Sequence, residues 1–339
     1  MTNGSLPILS NSRLKDARAC QRLHHYKYGL QYRPVDEGEA LRFGSLWHKG
    51  LEAWWSTPRD DERLSAALQA LCAGDSDPFD RVRAEAMMVG YDARWLSEME
   101  HYEVIGVEVQ FRAPLVNPDT GAPSRTWQLG GKVDALVLDR RTGHTQIVEH
   151  KTSSEPCGPG SDYFKRLRLD SQVSIYYRGV EALGIKPDSV LYDVALKPGL
   201  RPYKATPLES RKYKKGTGEL YANQRENDET PSDYRNRLIE AIAAEPNEYF
   251  VRAELVRLEG EMVEAMADVW QTGRVLRENE LRGFYPRTVE ACVRWSRTCP
   301  FFPACCGEAS LDDASLYRQI EDPHPELAEE AARANGSIP

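Results

Sequence analysis

The sequence predicts an α/β fold in which helices flank a mixed central β-sheet. Three observations point to it. Helix-length amphipathic patterns fill residues 39–56, 60–74 and 78–101. The texture then changes, and residues 102–113, 127–139 and 145–151 alternate apolar and polar side chains as strands do. A helical pattern at 170–183 and a further strand-like run at 189–196 complete an order of helices, three strands, helix and strand.

Each element has a local reason. Ser12 is the expected entry to a short helix within residues 10–33, with Leu14, Cys20, Leu23 and Tyr26 along it. Pro58 and Pro78 separate the next three helices. In the third, Val82, Met87, Met88, Tyr91, Trp95 and Leu96 recur at helical spacing. A Pro/Asn/Gly loop is expected at 114–123, and Gly143 within 140–144 suits a hairpin turn. Pro198-Gly199 ends the strand at 189–196, since proline cannot donate to a ladder. The polar stretch that follows, to Pro231, reads as a mobile loop. Helices are expected at 232–244 and 255–279, joined by 245–254. From Leu311 the chain reads as a weakly ordered acidic tail, with one short helix at its end.

The chain of 339 residues accommodates one elaborated domain, or two at most. No repeat of solenoid type is visible. Hydrophobic residues are 41% and charged residues 28%, as in ordinary globular chains. No apolar run approaches the ~18 residues of a membrane span. The first dozen residues lack the basic-then-apolar layout of a secretory signal. The expectation is therefore a cytoplasmic protein, neither membrane-bound nor secreted. The net charge of −8 excludes a uniformly basic nucleic-acid coat. It leaves room for a local basic groove, because 197–215 carries Lys197, Arg201, Lys204, Arg211, Lys212, Lys214 and Lys215 against the lone acid Glu209.

The most informative stretch is 131–151. Asp134 lies on one expected strand, and Glu149 and Lys151 lie two apart on the next, hence on one face. A hairpin brings Asp134 near them. Two carboxylates and an ammonium on one sheet face suit phosphodiester hydrolysis. The carboxylates hold a hard divalent cation through oxygen. The cation polarises the phosphate and lowers the pKa of a bound water. The ammonium offsets negative charge as it develops. The plainer reading is an exposed sheet face with a Glu–Lys cross pair. Against it, Leu136, Val137, Leu138, Ile147 and Val148 make the strands largely apolar, and buried charges demand partners.

VDAL at 133–136 followed by VEHKTS at 148–153 resembles the second and third motifs of the PD-(D/E)xK nuclease superfamily. GSLWHKGLE at 44–52 resembles the G-x3-H-x2-LE motif of its RecB-like branch, and Gln172 and Tyr176 match the Q-x3-Y motif that follows on a helix. The matches occur in family order over 44–176. The resemblance implies a restriction-endonuclease-like sheet with helical insertions and a Mg²⁺ or Mn²⁺ site. Its ligands would be His48, Asp134, Glu149 and the main-chain carbonyl of His150. Lys151 would be the catalytic lysine, and Gln172 and Tyr176 would support the site and contact DNA. Tyr177 could replace Tyr176 by a shift of register. On helix geometry alone, His48 reads equally as a face residue among Trp47, Leu51 and Trp54.

Seven cysteines stand at 20, 72, 157, 292, 299, 305 and 306. Their odd number argues against a disulfide framework, and the cluster at 292–306 points to metal or cluster ligation in a reducing compartment. One early and three late cysteines, Cys20, Cys292, Cys299 and Cys305, resemble the layout of AddB-type, CRISPR-associated and viral exonucleases. That resemblance implies a four-iron four-sulfur cluster stapling the two chain ends. The spacing between Cys292 and Cys299 departs from the C-x2-C of several relatives. Four thiolates also suit zinc, and Cys306 could stand in for Cys305. Cys72 and Cys157 read as ordinary small residues.

These expectations amount to one nuclease domain over 1–310, with its core at about 40–196, a helical insertion at about 58–101, a basic loop at about 197–231, a cysteine segment at 285–307 and an acidic tail at 311–339. No P-loop is visible, so a standalone nuclease is expected, with viral or prophage origin implied by resemblance only. In the basic loop, Lys204, Arg211, Lys212, Tyr213, Lys214 and Lys215 interleave cations with an aromatic ring, which suits a single strand. A solvated loop is the plainer reading. The function expected is a metal-dependent exonuclease acting on single-stranded or resected DNA ends, alongside recombination, repair or replication proteins. The alternatives are a structure-specific or flap endonuclease on the same core, and a DNA-binding recombination subunit without activity. The sequence gives no oligomeric state.

Overall fold

The computed structural model describes residues 6–36, 38–158, 160–294 and 297–327. The chain enters through β1 (Ile8–Leu9) and α1 (Asn11–Ala19). Ser10, in extended backbone, caps α1 by accepting the Arg13 N–H, so the cap is two residues before the expected Ser12. Cys20 is also extended and breaks the helix; α2 (Gln21–His24) and a π-helical turn, His25–Gly29, follow it. Next come β2 (Tyr32–Pro34), α3 (Glu39–Ser56), α4 (Asp60–Cys72) and α5 (Pro78–Trp95). Asp77 caps α5 and Pro78 opens it, where a missing N–H costs nothing.

The sheet follows. Strands β3 (Tyr102–Val116) and β4 (Pro123–Asp139) form a long hairpin. Both reach into the expected 114–123 loop and leave a tight turn with Gly121 at φ +70°. Then come β5 (His144–Ser153), α6 (Asp162–Leu167), α7 (Ser171–Ala182) and β6 (Ser189–Leu196). Beyond the basic excursion lie α8 (Pro231–Ala244), α9 (Pro246–Tyr249), β7 (Phe250–Leu255) and α10 (Glu259–Arg282). β7 occupies what the sequence reads as a linker. Its buried residue Phe250 is followed by a Val-Arg-Ala-Glu run, too polar to stand out as a strand. A small hairpin of β8 (Val293–Arg294) and β9 (Arg297–Thr298), then α11 (Phe302–Cys306) and β10 (Tyr317–Gln319), complete the order.

The strand order is β1-β4-β5-β6-β7, with β3 on the other edge of β4. β1 and β5 pair along successive parts of one edge of β4. The β1–β4 and β5–β6 pairs are parallel and the others antiparallel, giving the mixed sheet expected. One face packs on α3, α5 and α8 through Trp47, Trp54, Trp55, Tyr91 and Leu238. The other packs on α1, α7 and α10 through Leu14, Phe111, Val133, Ile175 and Val269. Among the described residues, no helix is long and apolar enough to cross a membrane.

Two segments depart from their expected mobility. Residues 197–231 fold back on themselves: Thr206 N donates to Arg225 O, Tyr213 bridges to Leu220, and the buried Glu229 accepts from Arg237. Polar composition read as a loop here because the polar groups satisfy one another instead of water. The C-terminal segment is packed as far as Leu327. β10 pairs antiparallel with β2, and the Tyr317 ring stacks on Phe301 at 5.2 Å. Arg33 donates to Pro323 O at 2.9 Å, and His324 is buried. Of the helix expected at the chain end, a 3₁₀ turn at Pro325–Leu327 is present; residues 328–339 lie outside the described residues.

Gly179 lets α7 approach β3. A Cβ there would stand 2.3–2.4 Å from three Phe111 ring atoms, and Phe111 also packs edge-on against Tyr176. Gly179→Ala should therefore lower stability by about 1–3 kcal/mol, despite a helix-propensity gain of about 1 kcal/mol. Truncation after Ser310 should lower it by about 1.5–3 kcal/mol or more, the contribution of burying one large side chain. Urea denaturation of both variants measures these losses. An unchanged midpoint in the truncated chain would mean that the Tyr317–Phe301 packing contributes nothing.

Candidate active site

The β4–β5 ladder runs from Asp139–His144 to Ala135–Val148 and stops one residue short of Asp134 and Glu149. Beyond that point β4 pairs with β1 and β3, while β5 continues alongside β6 to Ser153. The strands fork, and the two carboxylates stand at the fork. Asp134 Oδ2 accepts the main-chain N–H of His150 at 2.7 Å, taking the place of the ladder acceptor that β4 no longer offers.

Alternation places Glu149 and Lys151 on one face of β5 and His150 on the other. Glu149 Oε1 accepts from the Lys151 ammonium and from Gln172 Nε2, the latter at 2.6 Å. Gln172 also donates to the Tyr176 hydroxyl at 2.8 Å, one turn along α7. Asp170 caps α7 and sets that register. Tyr177 points elsewhere and donates to Asp188 O. The second oxygen of Glu149, Oε2, is buried without a hydrogen-bond partner.

His48 reaches the fork from α3, whose Trp47, Leu51, Trp54 and Trp55 are buried. Its Nδ1 lies 3.3 Å from Asp134 Oδ1. Sequence reading missed Glu108. On β3, Val107 pairs with Ala135 and Val109 with Val133, so Glu108 stands opposite Asp134. Its φ of +55° is rare for a residue with a side chain, and its carboxylate pairs with Lys132. His48, Glu108 and Asp134 offer ligand atoms all within 4.8 Å of one another, among the described residues. Oxygen and imidazole donors at this spacing fit a divalent cation. The signal that could have revealed Glu108 is hairpin register, legible only once the length of the β3–β4 turn is known.

Burial opposes charge on every group here; charged neighbours outweigh it at Asp134, Lys151 and His48, and it prevails at Glu149 and Glu108. For Asp134 the raising effect of burial is outweighed by His48 and Lys151, which hold its pKa well below the usual carboxylate range. Burial, reinforced by Asp134, raises Glu149 against the pull of Lys151. Burial would lower Lys151, but Glu149 and Asp134 hold its pKa above the ordinary value. Burial likewise works against charge on His48, and Asp134 more than offsets it, so the imidazole pKa rises. Burial also raises Glu108 despite its bond with Lys132.

Away from the fork, Cys20, Cys292, Cys299 and Cys305 line one pocket together with Tyr26, Phe301 and Phe302. Cys306 is exposed, Cys72 is exposed and lies 3.5 Å from Glu85, and Cys157 is buried in the core. The basic excursion spends several of its cations internally. Lys204 pairs with Asp228, Lys214 pairs with Glu219, and Arg211 donates to Thr206 O and Glu226 O. Lys212, Tyr213 and Lys215 are exposed.

In the metal-free protein, His48 should titrate above the ordinary histidine value of ~6.5. Its pair with Asp134 stabilises the fold fully below the unfolded pKa, and that contribution is lost as pH rises through the raised value. A divalent cation displaces the same proton. Mn²⁺ affinity should therefore increase with pH, by up to about tenfold per unit below the raised pKa. Calorimetry at pH 6 and pH 8 measures it, and equal affinities would exclude His48 from the ligand set.

A profile of the PD-(D/E)XK nuclease superfamily matches residues 8–305. No curated protein matches the chain. Among solved structures, a protein of Eubacterium rectale described as a candidate exonuclease is 10% identical; the match covers 97% of this chain and 94% of that one at a TM-score of 0.44. A phage-related exonuclease of Haemophilus somnus 129PT is 12% identical, covering 70% of this chain and 94% of that one at a TM-score of 0.29. At such scores these two likenesses carry no weight on their own. The family match spans most of the chain, so the chain belongs to the PD-(D/E)XK nuclease superfamily.

Proposed function

We propose that this nuclease is a RecB-like DNA exonuclease that hydrolyses phosphodiester bonds at DNA ends and needs Mg²⁺ or Mn²⁺. The observation that carries the reading is the fork, where Asp134, Glu149 and Lys151 meet His48 from α3 and Gln172 from α7. The donor set fits a hard divalent cation. His48, Glu108 and Asp134 are within mutual reach, and Glu149 Oε2 is buried and lacks a partner. These groups, with the main-chain carbonyl of His150, would hold the cation. When bound it supplies charge that polarises the phosphate and acidifies a water molecule.

The chain's own groups do the rest. Lys151 stays an ammonium and stabilises negative charge gathering on the phosphate oxygens. Gln172 fixes Glu149 Oε1 and leaves the buried Oε2 without a hydrogen-bond partner, while Tyr176 keeps the Gln172 amide in place. Water adds to phosphorus, and the bond to the leaving 3′ oxygen breaks. Exposed Lys204, Lys212, Tyr213, Lys214 and Lys215, with the half-buried Arg211, form the strand-contacting surface in this reading. End-labelled and circular single-stranded DNA, each with Mn²⁺, test the exonuclease assignment. Loss of ends with intact circles is expected, and linearised circles would establish the endonuclease instead. Asp134→Ala, Glu149→Ala and Lys151→Ala should each lower kcat by about 100-fold or more while keeping the fold.

We further propose that Cys20, Cys292, Cys299 and Cys305 hold a four-iron four-sulfur cluster. Their shared pocket supports this, as does its aromatic wall of Tyr26, Phe301 and Phe302. Among the described residues, no three of these sulfurs draw within 4.8 Å. Such a cluster would join positions 20 and 292 across the whole core and restrict the unfolded chain. Protein purified without oxygen should contain iron and sulfide, and Cys20→Ser should lose both, with lower stability. Stoichiometric zinc without iron would replace the cluster with a zinc site, and full iron in Cys20→Ser would overturn the staple.

A further inference from the structure

His150 serves the fork with its backbone, while its ring turns to the opposite face of the sheet. There its Nδ1 lies 3.1 Å from Asp193 Oδ2, an ion-pair contact whose angle falls outside hydrogen-bond geometry. The two residues are register partners on β5 and β6, so their side chains rise together. Asp193 also accepts from the Tyr91 hydroxyl and lies 3.3 Å from Arg252 Nη2, its neighbour on β7. Tyr91 in turn accepts from Trp55 Nε1 and from Arg252, both at 3.0 Å. The Arg252 guanidinium is stacked 4.1 Å from the Trp95 ring centroid. Asp193, His150 and Tyr91 are all buried.

Such a cluster is a costly way to fill a core, since apolar side chains of similar volume pack there without desolvating charge. Arg252 even leaves Nε and Nη1 buried without hydrogen bonds. The member that reaches the chemistry is His150. Its peptide sits just past the fork, where β5 has β6 on one side and no ladder to β4 on the other. A strand held along one edge can rotate its peptides, and a ring anchored on the far face removes that freedom.

We infer that Asp193, clamped by Tyr91 and Arg252, is a positioning residue that holds the His150 ring and thereby sets the His150 N–H on Asp134 and the His150 carbonyl towards the cation. This rests on the reading of the fork as a metal-dependent nuclease site. Outer partners of metal ligands typically change metal affinity by about 10–100-fold when removed.

The test is Mn²⁺ binding by calorimetry, alongside DNA cleavage against Mn²⁺ concentration. Asp193→Asn keeps the side-chain volume and should raise the Mn²⁺ Kd about tenfold or more. The lost kcat should return at high Mn²⁺, with KM for DNA unchanged. His150→Phe keeps a ring beside Trp55 and provides a second route should Asp193→Asn fail to fold. It should raise the Kd similarly, and the double variant should add nothing further. A folded Asp193→Asn or His150→Phe protein that binds Mn²⁺ as the parent does would overturn the inference, as would additive effects. A parent protein that neither binds Mn²⁺ nor cleaves DNA would instead remove the nuclease reading itself, and the inference with it.

Discussion

The parting of β4 and β5 after the Ala135–Val148 pair is the constraint on which the rest of the molecule depends. A strand that leaves its neighbour exposes backbone donors and acceptors, and each must find a partner. Here Asp134 takes the His150 N–H. The same carboxylate that mends the sheet is therefore immobilised at the mouth of the fork, with its other oxygen turned to His48. The mixed order of the sheet makes this possible. β1 and β3 hold β4 on one branch, and β6 holds β5 on the other.

Charge is concentrated at the fork at some cost. Glu108, Asp134 and Glu149 repel one another in a poorly hydrated place, and burial raises the pKa of Glu108 and Glu149. Lys151 and Lys132 offset part of that repulsion by pairing with Glu149 and Glu108. Glu108 adds backbone strain at φ +55°. The proposed cation would offset the repulsion among these clustered acids. The opposite face of the sheet carries its own buried charges, Asp193 on β6 and Arg252 on β7, so β5 links two polar layers through the adjacent residues Glu149 and His150.

The segments around Cys20–Pro34 and Cys292–Gln319 pack together. The extended backbone of Cys20 separates α1 from α2 and brings this residue to the pocket of the three late cysteines. Tyr317 then stacks on Phe301, which lines the same pocket, and β10 ties that segment to β2 just after the π-helical turn. A proposed cluster would thus sit between two terminal segments that already share a strand pairing and an aromatic stack.

Local pattern in the sequence was enough for the helices at 39–56 and 78–95, the hairpin through Gly143, and the face shared by Glu149 and Lys151. These depend on periods of 3.6 and 2 and on turn chemistry, which neighbouring residues carry by themselves. Gln172 and Tyr176 were legible through their resemblance to the Q-x3-Y motif, and the helical period then places them one turn apart. Tertiary structure alone decided the rest. Glu108 meets Asp134 only through the register of a long hairpin, and Asp193 meets His150 only through a parallel pairing across α7. β7 is a strand because β6 offers it an edge, and residues 317–319 are ordered because β2 does. Polar composition suggested mobility in both the 197–231 excursion and the tail, because composition counts polar groups but not the partners that satisfy them. Those partners lie from 5 to 290 positions apart, and only the folded chain brings them within bonding distance.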